Sequence, residues 1–377
     1  MRKYLLTPGP TYIPSLIREV LAKEIIHHRT QEFRDILKEV HQNLKKIFCT
    51  ENPVIIFTSS GTGAMEAAVS NFLSYKGKVI VINGGKFGQR WKEIAQSYKL
   101  EIVEYKFNWG EVPSLEVLDE LLKKNKDVKA IFTTLCETST GTVYDIKEIA
   151  SLVKDKDILL VVDAISGLGQ DELLTDEWGV DVVVGASQKG LMLPPGLSFI
   201  SVSPKAERFM NSSDLPKYYF DLKKALKSYF NNDTPFTPSV SLIIALKIAL
   251  EMMMKEGIKQ RWKKFSFLAS ATRNAALSLG LTLFSKRPSN SVTAINVPSG
   301  IKAGDLVKLL RKKYKISIAQ GQAEFKDRIF RIAHMGAIDR DDLTVCFSFL
   351  EKSLEELGYK NFEKGISSKI IQETPDV

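Results

Sequence analysis

The chain is 377 residues long, 44% hydrophobic and 26% charged, with a formal net charge of +9 at pH 7. That length exceeds what a single hydrophobic core usually serves, so a large domain with a smaller companion is expected. No apolar run is long enough to span a bilayer, and the basic residues, as at Lys123-Lys124 and Lys312-Lys313, are scattered rather than gathered in a stripe, which argues against membrane or nucleic-acid partners.

The first ten residues, MRKYLLTPGP, begin with basic residues but lack the apolar stretch of a secretory signal. Thr7-Pro8-Gly9-Pro10 forbids helix and strand alike, so residues 1–14 are expected to be irregular. Amphipathic helices follow at 15–24 and 31–47. Between them His27-His28 has no third ligand spaced to form a metal site, and a structural or substrate-rim role is expected. The three cysteines, Cys49, Cys136 and Cys346, show no metal spacing and cannot all pair, which fits a reducing, cytoplasmic setting. No metal is expected.

From residue 54 strands and helices alternate. Strands are expected at 54–57, 78–82, 101–106, 130–134, 158–163, 180–184 and 197–202, with helices at 62–73, 87–97, 115–124 and 145–154. This cadence implies an α/β fold with a mostly parallel seven-stranded sheet wrapped by helices. Residues 238–279 read as two long helices meeting at Gly257, with Met252-Met253-Met254 as packing. The remainder alternates strands at 292–297, 316–319 and 328–332 with helices at 303–313 and 340–356, a smaller C-terminal α/β domain. Residues 365–377 read as frayed. The expected division is 1–14 over the active site, 15–250 as the large cofactor-binding domain and 251–377 as the small domain.

Several strand ends carry chemistry. Val182-Val183-Val184 leads through Gly185 to Ser187, Gln188 and Lys189, and ligands in open α/β sheets collect beyond the carboxyl ends of strands. A partly desolvated amine there can attack an aldehyde; taken alone, Lys189 reads more simply as one surface lysine among many. Asp163 ends another apolar run, and by itself reads as a turn cap. Together, a lysine and a carboxylate at two strand ends form the minimal frame for pyridoxal phosphate: one bonds the aldehyde, the other keeps the pyridine nitrogen protonated. Ser59-Ser60-Gly61-Thr62-Gly63-Ala64 opens a helix and suits either a phosphate or an ordinary turn. Phe87, flanked by glycines at a strand exit, is either a core ring or a flat lid for a planar ligand. Glu137-Thr138-Ser139-Thr140-Gly141 offers hydroxyls to a cofactor or caps to a turn. Arg331, between Phe330 and Ile332, is either a carboxylate fork or a structural ion pair.

In order along the chain, TPGP (7–10), HHRTQEF (27–33), SSGTGAMEA (59–67), NGGKFGQRW (83–91), ETSTG (137–141), VVDAISGLG (161–169), GASQKGLMLPPGLSFISVS (185–203), TPFTPSVSL (234–242) and FRIAHMG (330–336) resemble the class V aminotransferases of pyridoxal-phosphate fold type I, in the alanine/serine–glyoxylate or serine–pyruvate branch. The resemblance implies a pyridoxal 5′-phosphate enzyme that moves an amino group from alanine or serine to glyoxylate or pyruvate in two half-reactions. It implies that Lys189 bonds the cofactor and Asp163 faces its ring nitrogen. Thr62, Gly63, Ala64 and Gln188 match the phosphate cup, with Ser187 assisting, and Phe87 stands where the family stacks an aromatic. Thr138 matches a residue beside the phenolic oxygen, Arg331 the arginine for the substrate carboxylate, and Gly9 the covering segment. Thr234 matches a phosphate contact given by a neighbouring subunit, which implies a homodimer with shared active sites. The usual tyrosine just before it is replaced by Asn231-Asn232-Asp233, with Tyr229 or an asparagine as substitutes. The rivals on the same frame are a phosphonate-type transaminase, a desulfurase, a lyase, or a subunit without activity. A desulfurase would need a mobile cysteine near Arg331, and Cys346 falls on an expected helix.

Overall fold

A computed structural model describes residues 3–375. The central sheet has seven strands: β1 (Val54–Phe57), β2 (Lys78–Asn83), β3 (Glu101–Lys106), β4 (Val128–Thr134), β5 (Leu159–Asp163), β6 (Val182–Ala186) and β7 (Ser198–Val202). Their order is β1-β7-β6-β5-β4-β2-β3, and every pairing is parallel except the two made by β7. Helices cover both faces, which is why β5 and β6 read as unbroken apolar runs rather than alternating ones. Side chains of β5 still part by period two. Leu160 and Val162 enter a core with helices Gln31–Phe48 and Val240–Glu256, while Leu159 and Val161 enter another with helix Gly61–Phe72. Because β2, β4, β5 and β6 run in one direction, their carboxyl ends meet at one edge. Asn83, Thr134, Asp163 and Ala186 stand there, and β1, antiparallel to β7, delivers Thr58 to the same edge.

The small domain holds an antiparallel sheet of β8 (Val292–Asn296), β9 (Ala319–Gln320) and β10 (Ile329–Ala333) in the order β8-β10-β9. Its core gathers Phe265, Leu306, Ile332, Phe347 and Leu350. Three expectations need correction. The stretch expected to be irregular contains a strand, Tyr4–Leu5, that pairs in parallel with Ile316–Ser317. Pro8 and Pro10 break the chain only after it has added to the small domain. The expected strand 316–319 is split accordingly, since Ile316–Ser317 serves the N-terminal strand and Ala319–Gln320 serves β10. The stretch expected to fray forms a helix, Ile366–Glu373, with Ile371 fully buried and Glu351 accepting from the amides of Gly365 (2.7 Å) and Ser367 (3.0 Å) at its start. As expected, helix Val240–Glu256 runs up to Gly257, with Leu250 and Met253 in the same core as helix Gln31–Phe48. Gly257, with φ +82°, separates it from the next helix, Ile258–Ser278. Helices Pro204–Ser212 and Leu222–Tyr229 carried no sequence expectation.

Candidate active site

Lys189 lies just past β6, and Asp163 ends β5, the strand paired with it in parallel. Both are buried, at 8% and 4% exposure. Burial pushes the Lys189 ammonium down to about 8, against the pull of the Asp163 charge, which favours the ammonium. Burial likewise pushes the Asp163 carboxyl up to about 7, although its Oδ1 accepts from the Ile165 amide at 2.8 Å. The two groups are thus electrostatic neighbours, each held nearer neutrality than in water. The Lys189 amine donates to the Pro8 carbonyl, so the N-terminal segment lies directly over it. Thr11 fastens that segment by donating its hydroxyl to the Lys189 carbonyl (3.0 Å). Gly9 is forced here. Its φ is +113°, and a Cβ would stand 2.5 Å from both Cε and Nζ of Lys189.

Lys189, Gly9, Phe87, Thr138 and Arg331 line one cavity of about 420 Å³, within the range of small-molecule sites. Size alone does not select it. A cleft between Lys106–Trp109 and Ala323–Arg328 is about 470 Å³ but is not lined by Lys189, while Asp163, buried at the end of β5, lines neither. Arg331 comes from the small domain on β10 and is only 5% exposed. It donates to the Thr138 carbonyl (2.9 Å) and twice to the Gln320 carbonyl (2.8 and 3.2 Å). Those three bonds leave two guanidinium N–H groups for a ligand. Burial lowers its pKa to about 10, still cationic at neutral pH.

The glycine-rich turn does not line this cavity but packs on the strand ends beside it. A Cβ on Gly61 would meet Ile165 at 2.5 Å and Ala186 at 3.1 Å, so the turn sits against both strand ends that carry Asp163 and Lys189. The Ser60 side chain caps none of the amides of helix Gly61–Phe72, and Thr62, Gly63 and Ala64 occupy its first turn. Oε1 of Gln188 is buried with no hydrogen-bond partner among the described residues, a polar end awaiting something the chain does not supply. The residues present therefore fit a group that is aldehyde at one end, basic nitrogen at another and anionic at a third. Ser187 does another job as well: its hydroxyl donates to the Pro194 carbonyl (2.7 Å) and accepts from the Leu197 amide (3.1 Å), shaping the loop around Lys189.

Thr234 does not line this cavity within its own chain. It lies beside Thr58 and Phe236, its hydroxyl donating to the Phe236 carbonyl (2.8 Å). Tyr229 turns inward onto His41, ring centroids 4.1 Å apart, and His27 and His28 stand apart from the cavity lining.

Three residues escaped the sequence reading. Glu137, wholly buried, accepts from the amides of Phe87 (3.0 Å) and Gly88 (2.9 Å) and so holds the first turn of helix Lys86–Ser97, where Phe87 sits. Ser166 accepts from the Thr138 hydroxyl at 2.6 Å. The Arg90 guanidinium lies over the Phe87 ring, 4.8 Å from its centroid. Glu137 was in view within ETSTG; its signal was an acid at a strand exit, though the amides it serves lie some 50 positions upstream.

The chain is 41% identical over 366 residues, 96% of its length and 95% of the relative's, to a protein of Anabaena cylindrica named soluble hydrogenase 42 kDa subunit. It is 34% identical to the L-aspartate–glyoxylate aminotransferase of Paracoccus denitrificans, over 88% of this chain and 86% of that one. Its fold superposes on the crystal structure of an aspartate aminotransferase of subgroup IV from Thermus thermophilus with a TM-score of 0.87, at 31% identity, covering 94% of this chain and 99% of that one. The family model described as aminotransferase class-V matches residues 17–335. The chain belongs to the class V aminotransferases, enzymes of pyridoxal-phosphate fold type I.

Proposed function

We propose that the protein transfers the amino group of a small amino acid, alanine or serine, to glyoxylate or pyruvate in two successive half-reactions. The observation that carries this reading is the convergence of Lys189 and Arg331, from different domains, on one cavity under Gly9. Pyridoxal 5′-phosphate, the family's cofactor, supplies a carbonyl for the amino group and an electron sink for the bonding pair released at the substrate Cα. Lys189 holds the cofactor between turnovers. Its free amine would move the Cα proton, a task suited to an amine whose pKa is lowered to about 8. Asp163 would supply the negative charge that keeps the ring nitrogen protonated. Thr62, Gly63, Ala64 and Gln188 would hold the phosphate, Phe87 would pack on the ring, and Thr138 would offer its hydroxyl to the phenolic oxygen. The two free N–H groups of Arg331 grip the substrate carboxylate and orient the Cα–H bond. Gly9 and its neighbours exclude water.

The same reading makes the enzyme a cytoplasmic homodimer in which Thr234 of each subunit reaches the partner's phosphate site. Two observations support it: Thr234 is placed away from its own cavity, and all three cysteines are free. A desulfurase is not favoured, because Cys346 is buried within helix Arg340–Glu356 with its thiol pushed up to about 12 by burial. The test is Lys189→Ala. It should remove both turnover of alanine or serine with glyoxylate and the visible band of lysine-bound cofactor. Retained turnover would falsify the assignment.

A further inference from the structure

Two of the relatives above are named for aspartate rather than alanine or serine, and the cavity wall of this chain carries a feature that alanine and serine leave unused. Arg311 lines the Lys189 cavity together with Val307, one helical turn before it. The helix Ala303–Leu309 opens at this point into a π turn, Leu310–Tyr314, a form found mostly at functional sites. Charges on the turn divide. Lys313 is paired with Glu356 at 2.7 Å, whereas Arg311 has no acidic partner within 4.0 Å among the described residues. Among the described residues no aspartate or glutamate lines the cavity, so Lys189, Arg331 and Arg311 give its wall three basic groups and no acid. The α-carboxylate of any amino acid answers Arg331. Nothing in alanine or serine answers Arg311.

We infer that the cavity also takes amino acids whose side chain ends in a carboxylate, with Arg311 holding that second carboxylate at the rim. The inference rests on the aminotransferase reading of the Lys189 cavity. A planar guanidinium offers two parallel N–H donors to one carboxylate. The reaction remains balanced as in the smaller donors. The dicarboxylic amino acid is oxidised to its 2-oxo diacid, and glyoxylate takes up the same amino group and is reduced to glycine. Rim exposure of Arg311 means that its replacement does not threaten the fold.

The test compares the wild-type holoenzyme with Arg311→Gln, using glyoxylate as acceptor and alanine, asparagine, aspartate and glutamate as donors. Wild type should use aspartate or glutamate at least about tenfold better, by kcat/KM, than neutral asparagine. Arg311→Gln should shrink that preference roughly tenfold to a hundredfold, chiefly through KM, as expected for a lost charge-assisted pair. Succinate, which cannot react, should bind wild type more tightly than propionate by calorimetry, and the variant should lose that difference. Equal use of aspartate and asparagine, or succinate binding unchanged in Arg311→Gln, overturns the inference while alanine turnover still upholds the aminotransferase reading. Absence of turnover with every donor overturns that reading instead, and succinate binding then decides the role of Arg311 by itself.

Discussion

Replacing Asp163 with asparagine should make the cofactor-free protein more stable and the enzyme nearly inactive. The carboxyl has a pKa of about 7 in the folded protein against an ordinary value of 3.8, and burial is the cause. Below pH 3.8 both folded and unfolded forms carry the proton, so the site contributes nothing. As pH rises from 3.8 to 7 the unfolded chain ionises while the folded one resists, and stability falls. Above 7 the loss levels off at (7 − 3.8) × 1.36, or about 4 kcal/mol as an upper limit. Asparagine keeps the shape and the acceptor for the Ile165 amide but never ionises. At pH 8 it should therefore recover up to about 4 kcal/mol. For 377 residues, an unfolding entropy of about 0.8 kcal/mol/K makes this a rise of about 5 °C in Tm. At pH 5 the gain should shrink to less than half of that. With the cofactor bound the sign reverses. A neutral amide cannot hold a proton on the ring nitrogen, so kcat should drop by orders of magnitude while affinity for the cofactor weakens. Differential scanning calorimetry of the cofactor-free proteins at pH 5 and 8, beside steady-state assays, checks both halves. A Tm gain that is the same at both pH values, or a loss at pH 8, would refute the electrostatic account of this carboxylate.

Three further outcomes follow from the same geometry. The rate at which cofactor-free protein takes up pyridoxal phosphate should rise with pH through about 8 and then level off, because only the neutral Lys189 amine attacks the aldehyde; stopped-flow absorbance measures it, and a rate flat between pH 6 and 9 contradicts the lowered amine. Gly9→Ala should cut kcat at least about tenfold, since its Cβ would stand 2.5 Å from the amine that must move; wild-type kinetics in that variant would remove the N-terminal segment from the site. Thr234→Ala and Lys189→Ala subunits, unfolded and refolded together, should recover part of the activity that each alone lacks if the phosphate contact crosses the dimer; no gain above the separate proteins speaks for independent sites.

What the sequence made legible and what it hid divide along physical lines. β5 and β6 were readable because a strand covered on both faces must be apolar throughout, and Gly185 and Asp163 punctuate their ends. Lys189 and Asp163 followed from where a parallel sheet puts its strand ends. Tyr4–Leu5 was unreadable for the opposite reason. Two residues carry no period, and their partner at Ile316–Ser317 lies about 300 positions away. Glu137 shows the same limit within the site. An acid beside a threonine looks like turn chemistry, and only the fold reveals that its oxygens meet the amides of Phe87 and Gly88, turning a turn residue into the anchor of the helix start that carries Phe87. Arg311 was hidden differently, by camouflage: it stands beside Lys312 and Lys313 in a run that reads as solvated surface. A one-dimensional pattern gives three adjacent cations one meaning. The backbone separates them, pairing Lys313 with Glu356 and turning Arg311 to the wall of an acid-free cavity. Residues that act through local order were thus visible early, whereas those that act by closing one domain onto the other acquired their roles only when the chain was folded.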